Sequence, residues 1–299
     1  MLKIEKTDIH GWEAAIRGAR NSFNSWDKSD SAACYFCRDN DANPGFCDDG
    51  LYNKTIVLSN PDGSCFEIGP NDQKLMKKLA KAGPSHAKYR RFITVTMDVT
   101  GPLYWWKEMD TYKVGTVGNS CSTMHKIADK EFELEDFSHE HLFDSANGPD
   151  HDCWAYYSDY DITIFEPIDL LNDAIIMLNK ARNLYKKYHE MAKAGDQFAK
   201  EHEKDYWWQM IQLLPSSYNQ KRTLLVNYEV LANIYQQRKG HRLDEWRTFC
   251  EWIEGLPMSE IITGISYEPD NNTIEKLVDC GNVYPISPEE CRDLMKGEK

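Results

Sequence analysis

Residues 92–125, FITVTMDVTGPLYWWKEMDTYKVGTVGNSCSTMH, constrain this chain most tightly. Ile93, Val95, Met97 and Val99 alternate with Thr94, Thr96 and Asp98. Successive side chains of a strand point to opposite faces, so this pattern reads as a strand with one face buried. Gly101-Pro102 ends it. Thr100 reads as a helix cap and Pro102 as a first-turn residue, which predicts a short aromatic helix over 102–110. A polar loop rich in Asn, Ser, Thr and Cys follows. Its hydroxyls and amides need partners once buried, so it builds a core poorly. It builds a binding site well, because rigid elements on either side aim its polar groups at a ligand.

Elsewhere the chain alternates helical and strand signals. Trp12, Ala15, Ile16 and Ala19 mark one face of a helix over 11–21. Residues 25–53 are rich in Asp, Asn, Ser, Gly and Cys and read as irregular. KTIVLSNPDGSCFEIG reads as a hairpin around Asn60-Pro61-Asp62-Gly63. Asn71 or Asp72 caps a helix through Leu75, Met76, Leu79 and Ala80 that stops at Gly83. The acidic, aromatic stretch 129–166 reads as an insertion or a flap. Pro167 then opens a long helix whose apolar face runs from Leu170 and Leu171 to Leu184, Tyr185 and Tyr188, with Gly195 as its stop. Further helices are expected over 196–213, broken by Pro215, then over 220–238 and 244–253. The tail carries a strand candidate at 276–285 and a Ser-Pro-Glu-Glu cap at 287–290. These elements predict one α+β domain over 1–299, with a central mixed or antiparallel sheet and long helices in the second half.

Composition narrows the function classes. A net charge of −13 opposes a large nucleic-acid footprint, which needs a basic surface. No apolar run approaches a membrane span, and the first residues lack a signal-peptide core, so a cytoplasmic protein is expected. Nine cysteines without a secretion signal argue against a disulfide framework. Cys34 and Cys37 form a C-x-x-C, with Cys47 and Cys65 beyond, but the second pair lacks the paired spacing of a closed zinc site. His139, His141, His151 and Cys153 lie in an acidic, loop-like stretch. Free thiols and ordinary histidines are expected at both places, and no metal.

Two constellations can carry chemistry. The first is Tyr112, Lys113, Asn119, Ser120, Cys121, Ser122, Thr123 and His125. Lys113 supplies a cation, and the amides and hydroxyls suit a phosphate or a planar heterocycle; ordinary turn chemistry is the competing reading. The second lies after Pro215. On the expected helix, Asn227 and Arg238 share a face three turns apart, and Asn233 sits on another side. Asparagine inside a helix is locally unfavourable, which points to tertiary partners, although solvent exposure explains it equally.

Together these constellations resemble the flavin-dependent thymidylate synthases. That family's signature is Arg-His-Arg, then a Ser within Asn-Glu-x-Ser, after a strand and a helix. Here the strand is 92–99 and the helix 102–110, and Thr111-Tyr112-Lys113 fall at the triplet. Asn119-Ser120-Cys121-Ser122 resembles Asn-Glu-x-Ser if one residue is inserted after Lys113. Downstream, Leu214-Pro215, Asn227, Asn233 and Arg238 match the family's order and spacing without a gap. Upstream, NSFNSWDKSD at 21–30 and Gly83-Pro84-Ser85-His86 resemble two further family segments. The likeness covers roughly 11–127 and 207–256, leaving insertions near 31–60 and 129–206. The triplet's arginines and histidine are absent, Ser120 stands for the Glu, Met124-His125 for a closing Arg-Tyr, and Ile211 for an Arg before Pro215.

The resemblance implies transfer of a one-carbon unit from methylenetetrahydrofolate to C5 of a pyrimidine deoxynucleotide, of the dUMP to dTMP type. FAD is the implied cofactor, NADPH and the folate are co-substrates, and a homotetramer with shared sites is the implied assembly. Arg238 and Ser122 take catalytic positions. Tyr112, Lys113, Asn119 and Asn233 fall at cofactor positions, and Ser120, Cys121, Thr123 and Asn227 at substrate positions. The altered letters leave two alternatives: a variant acting on dCMP or adding a hydroxymethyl group, and a non-catalytic nucleotide-binding or assembly protein that has lost the flavin.

Overall fold

A computed structural model describes residues 2–33, 56–59, 65–144, 154–157 and 162–265. In chain order its elements are β1 (Lys3–His10), α1 (Trp12–Asn21), β2 (Ala32–Ala33), β3 (Ile56–Ser59), β4 (Cys65–Ile68), α2 (Pro70–Lys81), β5 (Thr94–Pro102), α3 (Leu103–Met109), β6 (Val117–Ser120) and α4 (Thr123–Lys126). There follow β7 (Trp154–Tyr157), β8 (Ile162–Phe165), α5 (Pro167–Lys193), α6 (Gln197–Leu213), β9 (Asn219–Asn227), α7 (Tyr228–Arg238), α8 (Asp244–Glu254) and α9 (Glu260–Thr263). The class is α+β, as the pattern predicts. A four-stranded sheet runs β1-β5-β9-β6, a three-stranded sheet β2-β4-β3, and β7 pairs with β8. No described helix is long and apolar enough to cross a membrane.

The described chain divides into two units, each assembled from separate stretches. One comprises Met1–Glu5, Asp98–Lys113 and Gly118–Leu224; the other comprises Lys6–Met97, Val114–Val117 and Leu225–Lys299.

In the first unit, α5 and α6 form a hairpin over a core of Phe132, Phe137, Leu171, Leu178 and Met210. Gly195 makes the turn with φ of +98°, a left-handed backbone that glycine adopts without strain. Part of the expected flap belongs to this core. Asn179 of α5 accepts from Phe132 N and donates to Phe132 O, both at 2.9 Å, and Arg182 donates to the carbonyls of Ala128 and Asp129. Those side chains satisfy the backbone polar groups that an irregular segment must otherwise leave to water. One expectation about α5 fails: Leu170 and Leu184, read as part of its buried face, are exposed.

In the second unit, Trp12, Ala15, Ile16 and Ala19 are buried, as their spacing predicts. Ile93, Val95 and Met97 of the alternating segment are buried too. The cap expected at α2 differs. Pro70 occupies the first turn, and the carboxylate of Asp30 accepts from Asn71 N and Asp72 N at 2.8 and 3.1 Å. Asp72 instead points inward, where Arg20 Nε, Ser29 Oγ and Ser31 Oγ each donate to it at 2.7 Å. Burial alone would push this carboxyl up; the three hydrogen bonds and the Arg20 charge outweigh it and hold the pKa below the usual range.

Three boundaries also move. β5 runs on through Pro102, so Pro102 rather than Thr100 occupies the cap position of α3. The expected polar loop contains a strand, β6. The helix expected over 220–238 is a strand as far as Asn227 and a helix after it. Leu224 and Tyr228 fit a helical period, but Gln220, Leu224 and Val226 alternate with exposed Lys221, Thr223 and Leu225. Pairing of that alternating run inside the sheet decides in favour of the strand. The tail signals at 276–285 and 287–290 lie outside the described residues.

Candidate functional site

In the first unit, the candidate residues hang on a polar knot beneath α3. Trp106 is buried, and its indole N–H donates to Gln220 O at 2.9 Å. The Gln220 side chain is buried on β9; its amide donates to Cys121 O at 3.0 Å, and its carbonyl accepts from Arg222 Nε at 2.9 Å. Arg222 also donates to Asp110 Oδ1 at 2.8 Å and lies 4.3 Å above the Trp106 ring. A half-buried guanidinium gains from these partners what it loses in hydration. Cys121 N donates to Lys221 O at 3.0 Å, which extends the β6–β9 pairing by a residue.

Upon this support the candidates are arranged as follows. Asn119 and Ser120 stand exposed on β6, an edge strand, and Cys121 follows exposed. Ser122 is half-buried and its carbonyl accepts from Lys126 N, closing the turn of α4. Thr123 opens α4; its side chain and that of His125 lie outside the described residues. Tyr112 is half-buried and Lys113 exposed. Thr111 spends its hydroxyl on Glu108 O, at 2.7 Å. Lys126, the other cation of the loop, pairs with Asp129 at 2.9 Å.

In the second unit, Asn227 ends β9 and caps α7. Its Oδ1 accepts from Glu229 N at 3.1 Å and Val230 N at 3.0 Å, with extended backbone. It is thus not the mid-helix residue expected, and its side chain turns to the helix end rather than sharing a helical face with Arg238. This also removes the propensity cost argued for it, since asparagine is a favoured cap. Asn233 is exposed on α7. Arg238 is half-buried at the end of α7, its guanidinium 4.8 Å over the Trp246 ring. Tyr228, at the start of α7, is fully buried and donates to Pro257 O at 2.8 Å. Burial, followed by the charge of Glu260, pushes its phenol well above the ordinary range, so it serves as a neutral strut.

One contact joins the loop of the first constellation to the second. Val114–Val117, which follow Lys113, belong to the same unit as Asn227. Gly115 has φ of +81°, and a Cβ there would lie 2.8 Å from Asn227 Nδ2 and 3.1 Å from Val230 Cγ2. The missing side chain lets the loop backbone close onto the cap.

Gly115, Gln220, Trp106, Arg222 and Trp246 escaped the sequence reading. A polar Gln between strand residues was the available signal for Gln220; nothing local marks the others. Of the cysteine and histidine groups, only Cys65, His139 and His141 are among the described residues. Cys34, Cys37, Cys47, His151 and Cys153 lie outside the described residues, and the described residues contain no cluster of three or more metal-ligating side chains.

No family model matches the chain, and no curated protein does. Among solved structures it is similar to thymidylate synthase X from Helicobacter pylori with FAD and dUMP, at 12% identity and a TM-score of 0.48 over 88% of this chain and 97% of that one. A second structure of the Helicobacter pylori enzyme, complexed with FAD and dUMP, gives 13% identity and a TM-score of 0.47 over 87% and 97%.

Proposed function

We propose that this protein binds a pyrimidine deoxynucleotide with a flavin and transfers a one-carbon unit to C5 of the base, in a dUMP to dTMP type of reaction. One observation carries the reading. Gly115, inside the upstream segment that resembles the flavin-dependent synthases, brings its backbone against the Asn227 cap of the downstream segment, far apart in sequence but within one unit. A loop of ordinary turn chemistry has no need of that construction.

The donor set fits the cofactor. Tyr112 offers a ring to stack on a planar heterocycle, Lys113 an ammonium for a diphosphate, and Asn119 and Asn233 amides for ring carbonyls. When bound, reduced flavin supplies hydride to the one-carbon unit on the base, and methylenetetrahydrofolate and NADPH are the proposed sources of carbon and electrons. The residues' own work is positional. Ser120, Cys121 and Thr123 would hold the nucleotide, and Asn227 would donate to it through Nδ2. Ser122 would stand beside the reacting ring, and Arg238 would hydrogen-bond the base and stabilise negative charge developing there.

Two measurements test this. The purified protein, alone and with added FAD, should show a flavin absorbance band. With FAD, NADPH and methylenetetrahydrofolate it should release tritium from C5 of deoxyuridylate faster than from deoxycytidylate. Absence of both the band and the release would overturn the proposal; release from deoxycytidylate alone would move the substrate to the cytosine series.

A second reading has its own support. Arg238 lies against Trp246, and Thr111 is tied to Glu108, so two signature positions already have partners within the chain. A nucleotide-binding protein without flavin chemistry fits those engagements, and a nucleotide-induced thermal shift without turnover would select it.

A further inference from the structure

Residues 73–97 contain no Asp or Glu but five Lys and two Arg, in a chain whose net charge is −13. Four of those lysines, Lys74, Lys77, Lys78 and Lys81, lie three and four residues apart on α2 and so share one face of it. Asp72, Met76 and Leu79 take the opposite face into the core. Lys77 pairs with Glu260 of α9 at 2.8 Å. Lys74, Lys78 and Lys81 are exposed, and among the described residues no carboxylate pairs with them. Like charges at these spacings repel, so the face costs the helix stability as it stands. The helix dipole favours cations in the last turn, which accounts for Lys78 and Lys81 but not for Lys74 and Lys77. The same face borders a hollow of about 520 Å³, whose described walls are Pro70, Gln73 and the four lysines. That volume suits a small molecule. Gln73 donates to Ile68 O at 2.8 Å, which leaves the lysine ammonium groups as the main chemistry of the hollow.

We propose that this face of α2 binds a compact polyphosphate anion, a run of linked phosphates rather than a single one. Lys74 and Lys81 are seven residues apart, about 10 Å along the helix axis. Linked phosphates span that row and meet an ammonium group at each turn, whereas a lone phosphate reaches only part of it. The bonds formed are charge-assisted, and the bound anion removes the repulsion among the lysines. The described walls include no aromatic side chain to stack on a base, so the phosphates are what the face reads. Extended polyanions fit it less well. A DNA duplex or an anionic bilayer would run past two helical turns onto the surface of a chain with a net charge of −13. None of these lysines belongs to the loop or the cap of the proposed nucleotide site, and the inference does not rest on that reading.

Calorimetric titration of the full chain with sodium triphosphate, against monophosphate at equal ionic strength, tests this. Triphosphate should bind at least tenfold more tightly and raise Tm. Combined Lys74→Gln, Lys78→Gln and Lys81→Gln should weaken triphosphate binding at least tenfold, with near-UV circular dichroism unchanged because all three side chains are exposed. Lys113→Gln with Lys126→Gln should leave triphosphate binding unchanged, which separates this face from the polar loop. Adenosine triphosphate distinguishes the sources of the phosphates: affinity equal to that of inorganic triphosphate assigns recognition to the phosphate chain alone, and a tighter affinity that the α2 substitutions abolish assigns it to a nucleotide. Equal binding of monophosphate and triphosphate, an affinity untouched by the α2 substitutions, loss of binding with the Lys113 and Lys126 substitutions instead, or a preference for duplex DNA over triphosphate would each overturn the proposal.

Discussion

Asn227 has two ends, and substitutions separate what each does. Its Oδ1 accepts two backbone N–H groups of α7, at 3.1 and 3.0 Å. Asn227→Ala leaves both donors without that acceptor, at a cost of about 1 kcal/mol, in the usual range of 0.5–2 for a lost cap. In a chain of this size that lowers Tm by roughly 2–4 °C. Asn227→Asp keeps an acceptor at the cap and adds negative charge at a helix N-terminus, worth roughly 0.3–1 kcal/mol in favour. At neutral pH its Tm should therefore equal or exceed that of wild type. Only Nδ2 is lost, the atom that the absent Cβ of Gly115 leaves room for. If Nδ2 donates to a nucleotide, Asn227→Asp should weaken dUMP binding by about 1–3 kcal/mol, or roughly 5- to 150-fold, while leaving stability intact. Differential scanning fluorimetry and calorimetric titration with dUMP give both readouts. A large stability loss in Asn227→Asp would refute the capping argument; unchanged dUMP affinity would leave Asn227 a cap and nothing more.

Other substitutions address the supports around the site. Gly115→Ala imposes a left-handed backbone on an L residue and drives its Cβ toward Asn227 Nδ2; it should cost at least 1–2 kcal/mol, roughly the backbone term alone, as a Tm fall. Gln220→Leu removes the acceptor of Arg222 Nε and the donor to Cys121 O; a loss of about 1–3 kcal/mol is expected, with faster amide exchange at Cys121. Asp72→Asn should cost about 3–5 kcal/mol, because it strands buried Arg20, as read by chemical denaturation. The pH dependence of the Asp72 contribution has a definite sign. Its folded pKa lies below the unfolded one, so this stability is complete above the ordinary carboxylate value of about 3.9 and is lost as pH falls through the lower folded value. Subtracting the acid unfolding profile of Asp72→Asn from that of wild type isolates the term; a difference that grows with acidity would refute it.

How far the sequence reveals this structure depends on how local each cause is. The alternation at 93–99 has a period of its own, and the helix stops at Gly83 and Gly195 follow from positive φ values that glycine adopts without strain. The junction at Asn227 was missed because Leu224, Tyr228, Leu231 and Tyr235 satisfy a helical spacing while 220–226 alternate. Only the neighbouring strands of the sheet choose between the two. The stop at Thr100 failed similarly, since a Gly-Pro pair is compatible with a strand that continues at its end. Gly115 and Gln220 owe their roles to residues distant in sequence, Asn227 and Cys121. The apolar positions of α5 were legible, but which of them the protein itself covers was not, because that depends on where α6 lies.

The missing arginines sharpen the question of how an anion is held, and the first unit limits the answer. Arg222 is not recruitable: with only 18% of its side chain exposed, it would have to abandon Asp110, Gln220 and the Trp106 face together. Arg182 is committed to the carbonyls of Ala128 and Asp129, whose backbone would then need other partners. Lys126 differs. Its pair with Asp129 joins two exposed side chains, and such pairs contribute only about 0–1 kcal/mol. A charge-assisted bond to phosphate, worth about 1.5–3 kcal/mol, exceeds that. Lys113 is exposed beside Tyr112. If this loop holds a phosphate, the cations of the loop itself are Lys113 and Lys126, flexible ammonium groups in place of planar guanidinium forks. Two point charges can hold an anion, but they cannot fix its orientation as bidentate arginines do. Orientation would then fall to the strand amides and hydroxyls of Asn119 and Ser120, which is why Gln220, anchoring that strand's end through Cys121, matters to the site as much as any cation.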